Sequence, residues 1–206
     1  SYGVGNYAVL NPLGNSSSAA VAGPLNSANL TYSGSSSGGC SSTMSITTGK
    51  WYLETTISTI FGLFVGVSAN TRNLQQDFGL NAADLFGWYI NPTITLFNNG
   101  SGSTWVGNTV STGSIVNIAI DATNLSSIKL WMGKNNVWYD SSGGTTGDPV
   151  NGTNQTITIT TGALFSPTVG LFGGSTSTIQ FNFGQRPWAY TPPSGYKSLC
   201  TYNLPT

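Results

Sequence analysis

The stretch GKWYLETTIS, residues 49–58, sets Trp51, Leu53, Thr55 and Ile57 on one side of an extended chain and Tyr52, Glu54 and Thr56 on the other. A period of two built from aromatic and β-branched residues is a strand signal, and the first set predicts the side that meets a core between two sheets. TIQFNFG, residues 178–184, repeats the pattern, with Ile179, Phe181 and Phe183 opposed by Gln180 and Asn182.

Outward from these two, short runs bounded by Gly, Asn, Ser and Pro predict strands at 7–11, 29–33, 49–59, 63–69, 86–90, 94–98, 115–121, 128–132, 137–139, 156–160, 168–172 and 178–183. FNNGSG at 97–102 and KNN at 134–136 read as hairpin turns. SGSSSGG at 33–39 and SSGGTTGDPVNGTNQ at 141–155 read as exposed loops, and NTRNLQQDFGLNAAD at 70–84 is the one place for a short helix. The expected fold is all-β, an antiparallel β-sandwich forming one domain with no internal repeat.

The 206 residues include six Lys or Arg, six Asp or Glu and no His. Charged residues make up 6%, against roughly a quarter in an ordinary globular chain. Aromatic residues at 12% nonetheless argue for a packed core over a disordered chain. Zero net charge and the lack of a basic cluster remove the footprint that nucleic-acid binding needs. No apolar run is long enough to span a membrane, and SYGVGNYAVLN at 1–11 lacks the basic and apolar regions of a signal peptide. Starting at Ser1 fits either loss of an initiator Met or excision from a longer protein. The six Asn-X-Ser/Thr triplets match what so much Asn, Ser and Thr gives by chance. Cys40 and Cys200 either close a very long loop as a disulfide or are two buried thiols acting as small hydrophobes.

Without histidine, Ser/His/Asp and Cys/His catalysis are excluded, together with the commonest zinc ligand sets. Glu54 is alone on its strand, and Asp77, Asp84, Asp121, Asp140 and Asp148 are scattered, so the paired carboxylates of a glycosidase are not in view. DATN at 121–124 and TTGDPVNGTN at 145–154 could offer calcium a few oxygens, but turn capping by Asp121 and Asp148 is the favoured reading. The glycine-rich stretches lack the lysine of a phosphate loop. No enzyme activity, cofactor or metal is expected.

Trp88, Tyr89, Trp105, Trp131, Trp138 and Tyr139 could stack on sugar rings or enter a protein partner, whereas Trp51, Trp131 and Phe183 are favoured as core. Trp105, in the polar segment NNGSGSTWVGN, is open to both readings. In FNFGQRPWAY at 181–190, Pro187 ends the last strand. Arg186 is there favoured as a structural clamp over a ligand contact: it can bond chain carbonyls, pair with Glu54, or stack on Trp188 or Tyr190.

Taken in order, VLNPLGNSSS, NLTYSGSSSG, GKWYLET, FVGVS, IVNIAIDATNLSSIKLWMGKNNVW, SSGGTTGDPVNGTN and FNFGQRPWAYTPPSGYKSLCTYNLP resemble the SPRY domain. This is a concanavalin-like jelly-roll sandwich, and the resemblance is to the version found in bacteriophage tail-fibre and other virion proteins. Two positions depart from that pattern: Asn117 stands where a small residue is usual, and Asn136 replaces a turn glycine, a change asparagine tolerates. The resemblance implies one domain over 1–206, with 1–6 and 201–206 as peripheral tails, and a non-enzymatic recognition or assembly role. It also implies a place on the phage particle as tail fibre, spike or capsid decoration, assembled in the host cytoplasm among other virion proteins, as a homo-oligomer, a trimer by analogy with virion appendages. Two jobs remain open under it. In one, Trp105, Asn98, Asn99 and Asn108, or the 141–155 loop, bind a host-surface glycan or protein. In the other the domain is a structural decoration. A carbohydrate-binding, lectin-like module or a peptide-gripping interaction domain of a larger protein is the alternative.

Overall fold

The computed structural model describes residues 5–13, 25–35, 37–70, 74, 80, 83–160, 162–172 and 174–205. These contain fourteen strands: β1 Thr31–Gly34, β2 Gly38–Ser41, β3 Lys50–Thr59, β4 Leu63–Ala69, β5 Leu85–Asn91, β6 Thr93–Asn98, β7 Ser101–Thr109, β8 Ile115–Asp121, β9 Ile128–Lys134, β10 Val137–Tyr139, β11 Ile157–Ile159, β12 Phe165–Leu171, β13 Ser177–Asn182 and β14 Lys197–Ser198. One sheet runs β1-β13-β3-β8-β9-β10, with β11 beside β9 and β14 beside β3; the other runs β2-β12-β4-β5-β6-β7. Every named pairing is antiparallel except β14 on β3. The antiparallel sandwich expected from the alternating runs is what forms.

Trp51, Leu53 and Ile57 of β3 enter the main core with Ile179, Phe181 and Phe183, as their shared parity predicts. Val65, Trp88, Ile94 and Val169 of the other sheet close it from the far side. The opposite side of β3 is also buried: Tyr52 is 0% and Glu54 3% exposed. There the chain's C-terminal segment lies across the sheet, and Tyr52, Ala119, Trp131 and Tyr196 form a second apolar cluster. Trp131 is therefore buried on the outer side of its sheet and not between the sheets. Its Nε1 donates to the Thr153 carbonyl at 2.9 Å.

Asn117 has a structural reason to be large and polar. Fully buried, it donates through Nδ2 to the Tyr52 hydroxyl (2.9 Å) and accepts the Asn136 amide on Oδ1 (2.8 Å), linking β8 to β3 and to the β9–β10 turn. Asn135 and Asn136 adopt φ of 50° and 66°, and Asn99 and Gly100 φ of 53° and 83°. Both pairs are the left-handed two-residue turns that match strand twist, as the sequence predicts at these sites.

Several expectations are corrected. Residues 7–11 form isolated bridges, Tyr7 to Cys200 and Leu10 to Ser42, and not a strand. Within 33–39, taken for an exposed loop, Gly38 and Gly39 are buried in β2, where a side chain is not needed because β12 pairs along their backbone. Residues 101–109 form β7, a strand that polarity hid. Cys40 and Cys200 are free and buried, so no disulfide closes the chain. The helix expected over 70–84 lies outside the described residues apart from isolated positions. No helix among the described residues is long and apolar enough to cross a membrane.

Candidate functional site

Arg186 lies where the chain leaves β13. Its Nη2 donates to the Phe181 carbonyl at 2.7 Å, the carbonyl-clamp role, while its buried Nε has no partner. It does not pair with Glu54: the one ion pair among the described residues joins Lys50 to Asp121 at 3.3 Å. The Glu54 carboxylate is instead taken up by the amides of Ala189 and Tyr190, both at 2.9 Å, and by the Tyr52 hydroxyl at 2.8 Å. Glu54 thus fastens the C-terminal segment to β3, and Trp188 adds an edge-on contact with Tyr52 at 4.9 Å. All of this is structural chemistry.

The carboxylates of the 140–155 region are similarly occupied. Asp140 accepts from the Ser142 amide and hydroxyl, the Gly144 amide and the Thr146 hydroxyl, and Asp148 from the Asn151 amide and side chain. The Ser142 hydroxyl foremost, then that of Thr146, pulls the Asp140 carboxyl down to about 2. Asp121 holds the amide and hydroxyl of Thr123, so the turn-capping reading of Asp121 and Asp148 holds. No group of three or more His, Cys, Asp or Glu among the described residues could hold a metal ion.

Trp105 is corrected from a candidate surface residue to a core one. It is 5% exposed, stacks on Tyr139 at 6.0 Å and 16°, and meets Trp88 edge-on at 5.8 Å. Gly143 lies so close to its indole that a β-carbon there would stand 2.8 Å from the ring, and Asn108 Nδ2 donates to the Gly143 carbonyl at 2.9 Å. The β6–β7 hairpin is docked in this way on the loop that begins at Asp140. Trp88, Trp131 and Tyr139 are buried too, while Tyr89 and Trp138 are half-buried. None of these six offers an open stacking platform.

Between the hairpin and the loop runs a groove of about 470 Å³ lined by Leu96, Asn98, Asn99, Ser101, Gly102, Ser103, Ser141 and Thr156. Asn98 and Asn99, singled out from the sequence, both line it; Asn108 and Trp105 act behind it as struts. Asn99 accepts the Asp84 amide on its Oδ1 at 3.0 Å. The serines were missed. They become visible once β7 is paired with β6, because Ser101 then faces Asn98 and Ser103 faces Leu96. The lining carries amide and hydroxyl groups and no charged side chain, so it can exchange hydrogen bonds with a neutral polar ligand.

No protein-family model matches the chain, and no curated protein sequence matches it. Among solved structures, the SPRY domain of human HERC1 aligns with a TM-score of 0.59 at 16% identity, covering 86% of this chain and 99% of that one. The TRIM65 PSpry domain aligns at 0.57 with 13% identity, covering 86% and 92% respectively. The chain has the SPRY fold. In this SPRY sandwich the groove lies where the β7 edge of one sheet meets the loop leaving β10 of the other.

Proposed function

We propose that this SPRY-fold chain is a non-catalytic recognition module that binds an uncharged polar partner, a host-surface glycan, in the groove between the β6–β7 hairpin and the 141–156 loop. It does so from the surface of a bacteriophage particle, as part of a tail fibre, spike or capsid decoration. One observation carries the binding reading: Asn98, Asn99, Ser101, Ser103 and Ser141 converge on one groove free of charge. Such a surface recognises by hydrogen bonding and is little affected by salt, because it has few charges to screen. The placement on a phage particle is supported by the ordered motif resemblance alone.

The test is a glycan array and intact host cells probed with the wild-type chain and with an Asn98→Ala/Ser103→Ala variant whose melting temperature is unchanged. Selective binding that the double substitution removes is the expected result. A folded wild-type sample that binds neither glycan nor cell overturns the glycan reading and leaves the decoration role, to be examined by cross-linking within the particle.

A further inference from the structure

The ends of the two sheets are treated unequally. The β10 edge has three residues and is shielded by the following loop, where Gly147 donates to the Trp138 carbonyl and Asp140 to that of Gly144. At the end of β2, residues 9–11 pair with 41–43 through the amides of Asn11 and Thr43. β1 has only four residues. β7, SGSTWVGNT, is nine residues long, uncharged, free of proline and exposed except at Trp105 and Asn108. Natural sheets blunt such an edge with charge, proline, a bulge or a cover; Lys134 caps the Thr109 carbonyl and Asn108 is tied to Gly143, but 101–105 has none of these among the described residues.

Its hydrogen-bond parity follows from the hairpin. The Asn99 amide donates to Leu85 of β5, so Asn98, Leu96 and Ile94 turn their backbone groups to β7 and meet Ser101, Ser103 and Trp105. Gly102 and Thr104 therefore point their amides and carbonyls away from the sheet. A register shift between Thr93 and Ile94 throws 106–108 out of the ladder, which leaves 101–105 as the regular edge.

We infer that two copies of this chain join edge to edge through β7, antiparallel about a two-fold axis at Ser103. Gly102 of each copy then exchanges two hydrogen bonds with Thr104 of the other, which pairs every outward group of the regular edge. Ser103 meets itself as a close non-hydrogen-bonded pair. Only hydroxyls and glycines meet near the axis, with no charge to repel, and Val106, 92% exposed, comes opposite Gly100 of the second copy. The two sheets of β2-β12-β4-β5-β6-β7 become one, and the two grooves lie side by side. This symmetry is two-fold, not the three-fold expected of a fibre trimer.

The test uses the purified full chain in sedimentation equilibrium across a concentration series, with Thr104→Pro as the disrupting variant. The Thr104 amide donates outward, so proline there removes a bond to the second copy but none of the ladder bonds within the chain; the Thr95–Thr104 hydroxyl contact at 3.0 Å is lost too, and Thr104→Ala controls for it. The expected result is a wild-type dimer and a monomeric Thr104→Pro chain that still melts cooperatively, while Thr104→Ala, which loses only the Thr95 contact, stays dimeric. A Ser103→Cys variant should form a disulfide-linked dimer under mild oxidation, since close non-hydrogen-bonded pairs fall in the disulfide range, whereas Thr104→Cys should not. Cys40 and Cys200 are buried and do not compete. A wild-type monomer at every concentration, a trimer, a dimer indifferent to Thr104→Pro, or cross-linking at 104 in preference to 103 overturns the inference. These readouts are of mass, so they stand apart from any result for glycan binding.

Discussion

Replacing Glu54 by Ala tests the claim that a single carboxylate fastens the C-terminal segment to β3. The substitution strands the amides of Ala189 and Tyr190 and the Tyr52 hydroxyl, the three groups now held at 2.8–2.9 Å. Bonds to a charged acceptor are worth roughly 1.5–3 kcal/mol each, but a released segment regains water, so the net loss is about 3–5 kcal/mol. For a chain of 206 residues that is a fall on the order of 10 °C in melting temperature. Glu54→Gln keeps one oxygen and sets an amide group against an N–H, so it should fall between wild type and Glu54→Ala. Differential scanning calorimetry gives the stabilities, and limited proteolysis reports whether cleavage within 188–196 is accelerated before global unfolding. A melting temperature within about 1 °C of wild type for Glu54→Ala, or early cleavage elsewhere in preference to that segment, would refute the reasoning.

Trp105→Ala should cost about 3–5 kcal/mol as a core truncation, whereas Trp105→Phe should cost far less because the buried Nε1 it removes has no partner; urea midpoints separate the two. With no histidine, melting temperature should stay nearly flat from about pH 5 to 8. The folded Asp140 is held below its ordinary value, so its contribution is present above the carboxylate range and is lost as pH falls towards about 2. Asp140→Asn should shrink that acid-side loss in a series of thermal melts.

The fold was legible where inside and outside alternate along one strand. Leu63–Ala69, Ile115–Asp121 and Val137–Tyr139 were located to the residue, and β3 and β13 showed their core sides through Trp51, Leu53, Phe181 and Phe183. Other features depended on partners far away in the chain. Nothing local marks Tyr52 and Glu54 as covered, since the segment that covers them lies about 135 residues later. Gly38 and Gly39 look like loop residues because they contribute backbone and no side chain to β2. Trp105 was ambiguous for a related reason: an edge strand exposes most of its length and turns just one large side chain inward, so its polarity outweighs its single anchor. The candidate site was half visible, with Asn98 and Asn99 readable from the turn. Ser101, Ser103, Ser141 and Thr156 became apparent only through strand pairing and the docking of the loop.

The C-terminal strap also sets the order of events during synthesis. β3 is made first, and the residues that cover its outer side come about 135 residues later. Until the strap emerges, Tyr52, Ala119 and Trp131 form an apolar patch on any partly built sandwich, a surface suited to chaperones. A message cut short before Trp188 would leave that patch permanently uncovered. Cellular quality control could thereby distinguish the incomplete product from the finished one.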